Sequence, residues 1–201
     1  MRPGGSRRLE PRRLGVLISG RGSNLKAIID AIEQRRLDAS IAIVISNRAE
    51  APGLEHARRA GIETLVIDHK PFKSRDDYDR VLVAALKDRG VTLVCLAGFM
   101  RLLSPVMVEA FPNRILNIHP SLLPKYAGLH PQQQALDDGA TVSGATVHFV
   151  SKDLDAGPIV LQREVPVLPG DTERTLADRI LQVEHALYPD AIAAVLDRVE
   201  P

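Results

Sequence analysis

In the first half of the chain, short continuous apolar runs alternate with stretches of helical period. Residues 14–19 form one such run, which passes through a Gly- and Ser-containing loop at 20–23 into a segment where Leu25, Ile28, Ile29 and Ile32 recur at helical spacing. A second run at 40–46 is followed by a helix over 52–60, in which Pro52 suits the first turn and Gly61 the stop. A third strand falls at 62–67 and a polar connection at 69–77. The Val81, Leu82, Ala85, Leu86 pattern then gives a third helix ending near Gly90, before a fourth strand at 91–97. Apolar strands alternating with amphipathic helices specify a parallel sheet covered on both faces. The expected fold class is α/β, with a Rossmann-like doubly wound sheet.

The rhythm changes in the second half. A short helix at 104–110, with Ser104 as cap ahead of Pro105, leads to a fifth strand at 114–119. A Pro- and Gly-rich loop at 120–131 and a short helix at 132–137 come next. Strands at 142–150 and 158–167 are joined by a turn and are expected to pair as a hairpin, which would make the sheet mixed. A helix from about 173 to 196, capped by Asp171 or Thr172, closes the chain. With no repeat, low-complexity tract or linker, residues 14–201 are expected to form one domain.

The fifth strand carries the strongest chemical signal. Asn117 and His119 are two residues apart, so a continuing strand sends both side chains to one face and Leu116 and Ile118 to the other. An amide that donates to a developing negative charge, beside an imidazole that exchanges a proton near neutral pH, suits acyl transfer. Ser121 follows in a Pro-flanked loop without a nucleophile elbow, which argues against a serine hydrolase.

Composition narrows the setting. Hydrophobic residues make up 45% of the 201 positions but aromatics only 3%, so Leu, Val, Ile and Ala must build the core. The formal charge of +1 divides into a basic start, with Arg2, Arg7, Arg8, Arg12 and Arg13 against Glu10, and a slightly acidic remainder. That division is poor support for a nucleic-acid surface. Residues 1–13 read as a disordered extension, with an organelle transit peptide as the alternative. No apolar run reaches membrane-span length, and Cys95 is the only cysteine, so disulfide frameworks and cysteine-rich zinc sites are excluded. A reducing cytoplasm is expected. His56, His69, His130, His148 and His185 have no metal-ligand spacing, and no metal is expected.

Two loops complete the candidate chemistry. Ser19 to Asn24 lies between a strand and a helix, where free amides and the helix dipole favour an anion. Leu25 in place of a third glycine, and Ser46-Asn47 in place of a ribose-binding acid, argue against a dinucleotide fingerprint. A tight turn with a Ser or Asn cap is the alternative. Asp153 to Pro158 is a turn whose Asp and Gly content is explained by conformation alone. Folded over the fifth strand, it would bring a carboxylate to His119 and stabilise the imidazolium.

Taken together, Asn117-Ile118-His119-Pro120-Ser121-Leu122-Leu123-Pro124, the segment from Leu96 to Arg101, Leu154 to Pro158 and Gly22-Ser23-Asn24 resemble the phosphoribosylglycinamide formyltransferases of purine synthesis. Lys125-Tyr126 and Gly128-Leu129-His130 strengthen the likeness to that branch. The resemblance implies a formyltransferase fold and formyl transfer from 10-formyltetrahydrofolate, as co-substrate, to the amine of 5'-phosphoribosylglycinamide. It implies Asn117, His119 and Asp155 as the catalytic set, with His119 the proton donor and Asp155 keeping it charged. Gly22, Ser23, Asn24, Leu25, Lys26 and Glu184 would hold the glycinamide substrate. Arg75, Met100, Arg101, Leu102, Leu103, Asn117, Ser151, Lys152, Asp153, Leu154 and Asp155 would line the folate site. Partners would be these small molecules, with neither nucleic acid nor membrane, and a homodimer is left open. Leu181 departs from the pattern, since relatives often carry a polar phosphate contact there. A folate-deformylating hydrolase, a methionyl-tRNA formyltransferase and a non-catalytic nucleotide-binding module are the rival readings.

Overall fold

The computed structural model describes residues 12–198. In chain order the elements are β1 (Arg13–Ile18), α1 (Ser23–Glu33), β2 (Ser40–Ser46), α2 (Gly53–Arg59), β3 (Thr64–Val66), α3 (Arg75–Asp88) and β4 (Leu93–Leu96). They continue with α4 (Pro105–Ala110), β5 (Ile115–His119), α5 (Pro131–Asp137), β6 (Val142–Phe149), β7 (Ile159–Pro166) and α6 (Glu173–Arg198). Every element read from the periodicity is present, with ends displaced by a few residues. Most of the expected N-terminal extension lies outside the described residues. Its last two positions are ordered: Arg13 opens β1, and the Arg12 guanidinium donates to Asp197 at 3.0 Å.

The sheet has seven strands in the order β3-β2-β1-β4-β5-β6-β7. Pairings from β3 to β5 are parallel, and β5·β6 and β6·β7 are antiparallel, so the late hairpin does make the sheet mixed. Crossover helices cover both faces, as parallel strands buried on two sides require. Leu25, Ile28 and Ile29 of α1, Leu54 and Ala57 of α2 and the apolar face of α6 join Leu14, Val16, Leu116 and Ile118 in one core. On the other face Tyr78, Leu82 and Leu86 of α3 and Met107 of α4 pack on Leu17, Ile43, Val94 and Ile115. The separation of Ile115 from Leu116 and Ile118 fixes the pleat of β5, which puts Asn117 and His119 together on the Ile115 face.

The α6 start uses both cap candidates. Thr172 Oγ1 accepts from the Thr175 amide at 3.2 Å and the Thr172 amide donates to Thr175 Oγ1 at 2.9 Å, while Asp171 accepts two bonds from Arg179. Ser104 is the residue ahead of α4, but its hydroxyl makes no cap bond. Its amide instead donates to the buried Asp79 carboxylate of α3. No described helix is long and apolar enough to cross a membrane.

Candidate active site

From β1 the chain runs outward to β2 and β3, then crosses back to β4 on the other side of β1. Loops leaving the carboxyl ends of β1 and β4 diverge there, and such a reversal opens a ligand crevice. The Ser19 amide donates to the Gly98 carbonyl at 3.1 Å, so the two loops depart side by side. Two cavities border them. The larger, about 500 Å³, is lined by residues 19–24, Arg48, Gln132, Leu181 and Glu184. The smaller, about 330 Å³, is lined by Arg75, residues 99–103, Asn117, Leu129, His148 and residues 150–155. Met100 lines both.

In the larger cavity, Gly22 precedes α1 with a left-handed φ of 72°. A Cβ there would stand 2.6 Å from the Gly53 Cα, so only glycine permits this approach of loop and α2. No side chain caps α1. The Ser or Asn cap that would have made the loop a simple turn is therefore absent, and the first-turn amides are left to meet an anion. Asn24 Nδ2 donates to Glu184 Oε2 at 2.8 Å, both groups being buried, while Asn24 Oδ1 has no partner. Burial pushes the Glu184 carboxyl up to about 7, against the opposing effect of the Asn24 bond. Two positions that the resemblance assigns to the glycinamide substrate do not line the cavity. The Leu25 side chain is fully buried in the core because it is on the inward stripe of α1, and Lys26 points outward to pair with Asp30 at 2.7 Å. Neither lines this cavity.

Across the sheet, register creates the second cluster. Asn117 of β5 lies opposite His148 of β6, and Asn117 Nδ2 is 3.2 Å from His148 Nε2. His148 Nδ1 meets the Phe149 carbonyl at 2.9 Å and so carries a proton, while Nε2 lies between Asn117 Nδ2 and the Asp155 carboxylate. The connection between β6 and β7 folds back onto these strands. It places Asp155 Oδ2 3.5 Å from His119 Nδ1 and Oδ1 3.6 Å from His148 Nε2. The Gly128 amide donates to Asp155 Oδ2 at 3.0 Å. Burial pushes the Asp155 carboxyl up, yet the His148 contact, the Gly128 amide and the charge on His119 together hold it below the usual range.

His119 Nε2 faces the Tyr126 carbonyl at 2.9 Å and must carry a proton to bond it. Its other nitrogen faces a carboxylate, so the imidazolium offers an N–H to both neighbours where the neutral ring would set a lone pair against Asp155. The ring lines neither cavity. It meets the smaller one through Asp155, which does. Ser121 is not a nucleophile in waiting: its buried hydroxyl donates to the Lys125 carbonyl at 2.6 Å.

The chain is similar to known proteins over most of its length. A formyl transferase family model matches residues 12–192. The chain is 50% identical to the phosphoribosylglycinamide formyltransferase of Escherichia coli K12 over 90% of its own length and 86% of that protein. The chain belongs to the formyl transferase family. It is also 53% identical to the trifunctional purine biosynthetic protein adenosine-3 of Drosophila pseudoobscura over 92% of its length, but spans only 14% of that protein. Among solved structures, glycinamide ribonucleotide transformylase 1 from Symbiobacterium toebii matches with a TM-score of 0.92 and 53% identity, covering 94% of this chain and 89% of that one.

Every position that the family resemblance assigns to folate lines the smaller cavity, from Arg75 and Met100 to Leu103 through Asn117 to Ser151 and Asp155. Of the positions assigned to the other substrate, Gly22, Ser23, Asn24 and Glu184 line the larger cavity. Several parts escaped sequence reading. His148 belongs to no motif in the sequence, and only the register of the hairpin against β5 sets it beside Asn117. The Tyr126 carbonyl, the Gly128 amide and the Asp79 anchor of residue 104 left no side-chain pattern to detect.

Proposed function

We propose that this chain transfers the formyl group of 10-formyltetrahydrofolate to the amine of 5'-phosphoribosylglycinamide, giving formylglycinamide ribonucleotide and tetrahydrofolate in purine synthesis. The observation that carries this reading is the position of Asn117 and Asp155 on the wall of the smaller cavity, where Met100 joins it to the larger one. The substrate phosphate sits on the uncapped start of α1 and its glycinamide end reaches toward Glu184. The folate occupies the smaller cavity between residues 100–103 and 151–155.

Side-by-side binding makes the attack effectively intramolecular. The amine nitrogen bonds to the formyl carbon and the carbonyl oxygen becomes an oxyanion. Asn117 has a second Nδ2 hydrogen to donate to it, beyond the one directed at His148. The His119–Asp155 pair stabilises positive charge at the base of the site and relays the proton. As the bond from carbon to the folate nitrogen breaks, the proton lost by the attacking amine passes to that nitrogen. No covalent enzyme intermediate and no metal enter the scheme, and a cytoplasmic location accords with it.

Mixing the protein with both substrates and following folate release tests the reading. Release only when the glycinamide ribonucleotide is present is the expected result; release without it would make the chain a hydrolase. His119→Ala is expected to lower turnover about a hundredfold or more. Unimpaired transfer by that variant would overturn the catalytic assignment.

A further inference from the structure

We propose that Ser19 and Asn47 form a positioning pair that sets the Met100 wall of the folate cavity and ties it to the loop holding the other substrate. This rests on the substrate reading given above. Ser19, at 3% exposure, lines the larger cavity, and Asn47, at 4%, is buried beside it. Ser19 Oγ donates to Asn47 Oδ1 at 2.6 Å, and the Met100 amide donates to Ser19 Oγ at 2.8 Å.

The direction of these bonds matters. A hydroxyl has one hydrogen and two lone pairs. Asn47 takes the hydrogen, so the lone pairs are held toward the Met100 amide instead of rotating. Asn47 is itself fixed by its other end, where Nδ2 lies 3.4 Å from His69 Nδ1. The backbone of Ser19 supplies the second link: its amide bonds Gly98, and the next carbonyl, that of Gly20, accepts from the Gly53 amide at 3.0 Å. One buried serine thus joins the first residue of the 100–103 segment to the start of the phosphate loop. The end of β2 carries Ser46-Asn47 in place of a ribose-binding acid, and Asn47 there orients Ser19.

Removing the hydroxyl leaves the partly buried Met100 amide and the buried Asn47 Oδ1 without this partner, so the wall at Met100 shifts. Ser19→Ala is expected to raise KM for the formylfolate about tenfold, with a smaller rise for glycinamide ribonucleotide and little change in kcat. Asn47→Leu should act in the same sense. The double variant should be no worse than Ser19→Ala alone, because the two groups act as one unit. Asn47→Asp keeps the accepting oxygen and should retain most of the folate affinity.

Unchanged KM values in Ser19→Ala, effects that multiply in the double variant, or no rescue by Asn47→Asp would each overturn the pair. If Ser19→Ala fails to fold, Asn47→Leu carries the test with the same criterion. Absence of formyl transfer by the unaltered protein would sink the substrate reading instead. The pair would then be judged on hydrogen exchange: the Met100 amide must exchange faster in the variants while β2 and β4 keep their protection, and unchanged exchange would refute it.

Discussion

Asp155 Oδ2 stands 3.5 Å from His119 Nδ1 with both side chains buried, and the same carboxylate meets His148 through its other oxygen. Asp155 also has a left-handed φ of 50°, a conformation that Asn adopts at least as readily as Asp. Asp155→Asn should therefore fold normally while losing the charge that faces both rings. Steady-state kinetics should show kcat reduced about a hundredfold with substrate KM values close to those of the unaltered enzyme. A loss confined to KM would show that Asp155 binds substrate and does not act on His119.

The connection that delivers Asp155 depends on Gly157. A Cβ there would fall 1.8 Å from the Phe149 carbonyl oxygen and 2.8 Å from its carbon, and backbone cannot yield as a flexible side chain would. Gly157→Ala must push the connection off β6. A displacement of about 1 Å at the reacting groups can cost about a hundredfold in rate, so activity should fall far more than the melting temperature. Parallel measurement of the two checks this, and full activity would show that Asp155 is placed by other contacts.

Glu184 gives the protein a pH signature. Its folded-state value, raised by burial from 4.5 to about 7, exceeds that of the unfolded chain. The carboxyl therefore contributes stability fully below pH 4.5, and that contribution is lost as pH rises through about 7. A shift of this size corresponds to roughly 3 kcal/mol once ionisation is complete. Glu184→Gln should remove the effect, matching the unaltered protein near pH 4.5 and melting higher near pH 8. It should also weaken glycinamide ribonucleotide binding. Identical pH profiles for the two proteins would contradict the assignment.

Leu181 lines the larger cavity, alongside the phosphate loop, with a side chain that cannot hydrogen bond. Leu181→Gln places an amide donor there. KM for glycinamide ribonucleotide should fall about tenfold, the worth of one hydrogen bond to a charged group, with the folate KM unchanged. No change would mean that the phosphate lies away from this wall.

The fold was legible because its strands are buried on both faces and its helices carry one apolar stripe; continuous and periodic runs distinguish the two directly. Helix α1 is the clearest case, since Leu25, Ile28 and Ile29 mark both the helix and the face it buries. The same stripe turns the Leu25 side chain into the core and away from the larger cavity. Asn117 and His119 were legible from alternation alone. His148 was not, because its role depends on which residue of β6 faces Asn117, and a one-residue slip in that register would turn it to the opposite face. Main-chain groups such as the Tyr126 carbonyl have no signature in sequence, since every residue has one.

The seam between β1 and β4 pairs Leu14 with Leu93 and Leu17 with Leu96, and the loops that leave it border both cavities. Closing that seam joins segments separated by most of the first half of the chain, an encounter opposed by loop entropy and slow among folding steps. The crevice between the two loops thus exists only once these distant segments have met. A growing polypeptide has its phosphate loop long before it has a crevice, and neither substrate finds a finished site until β4 is in place.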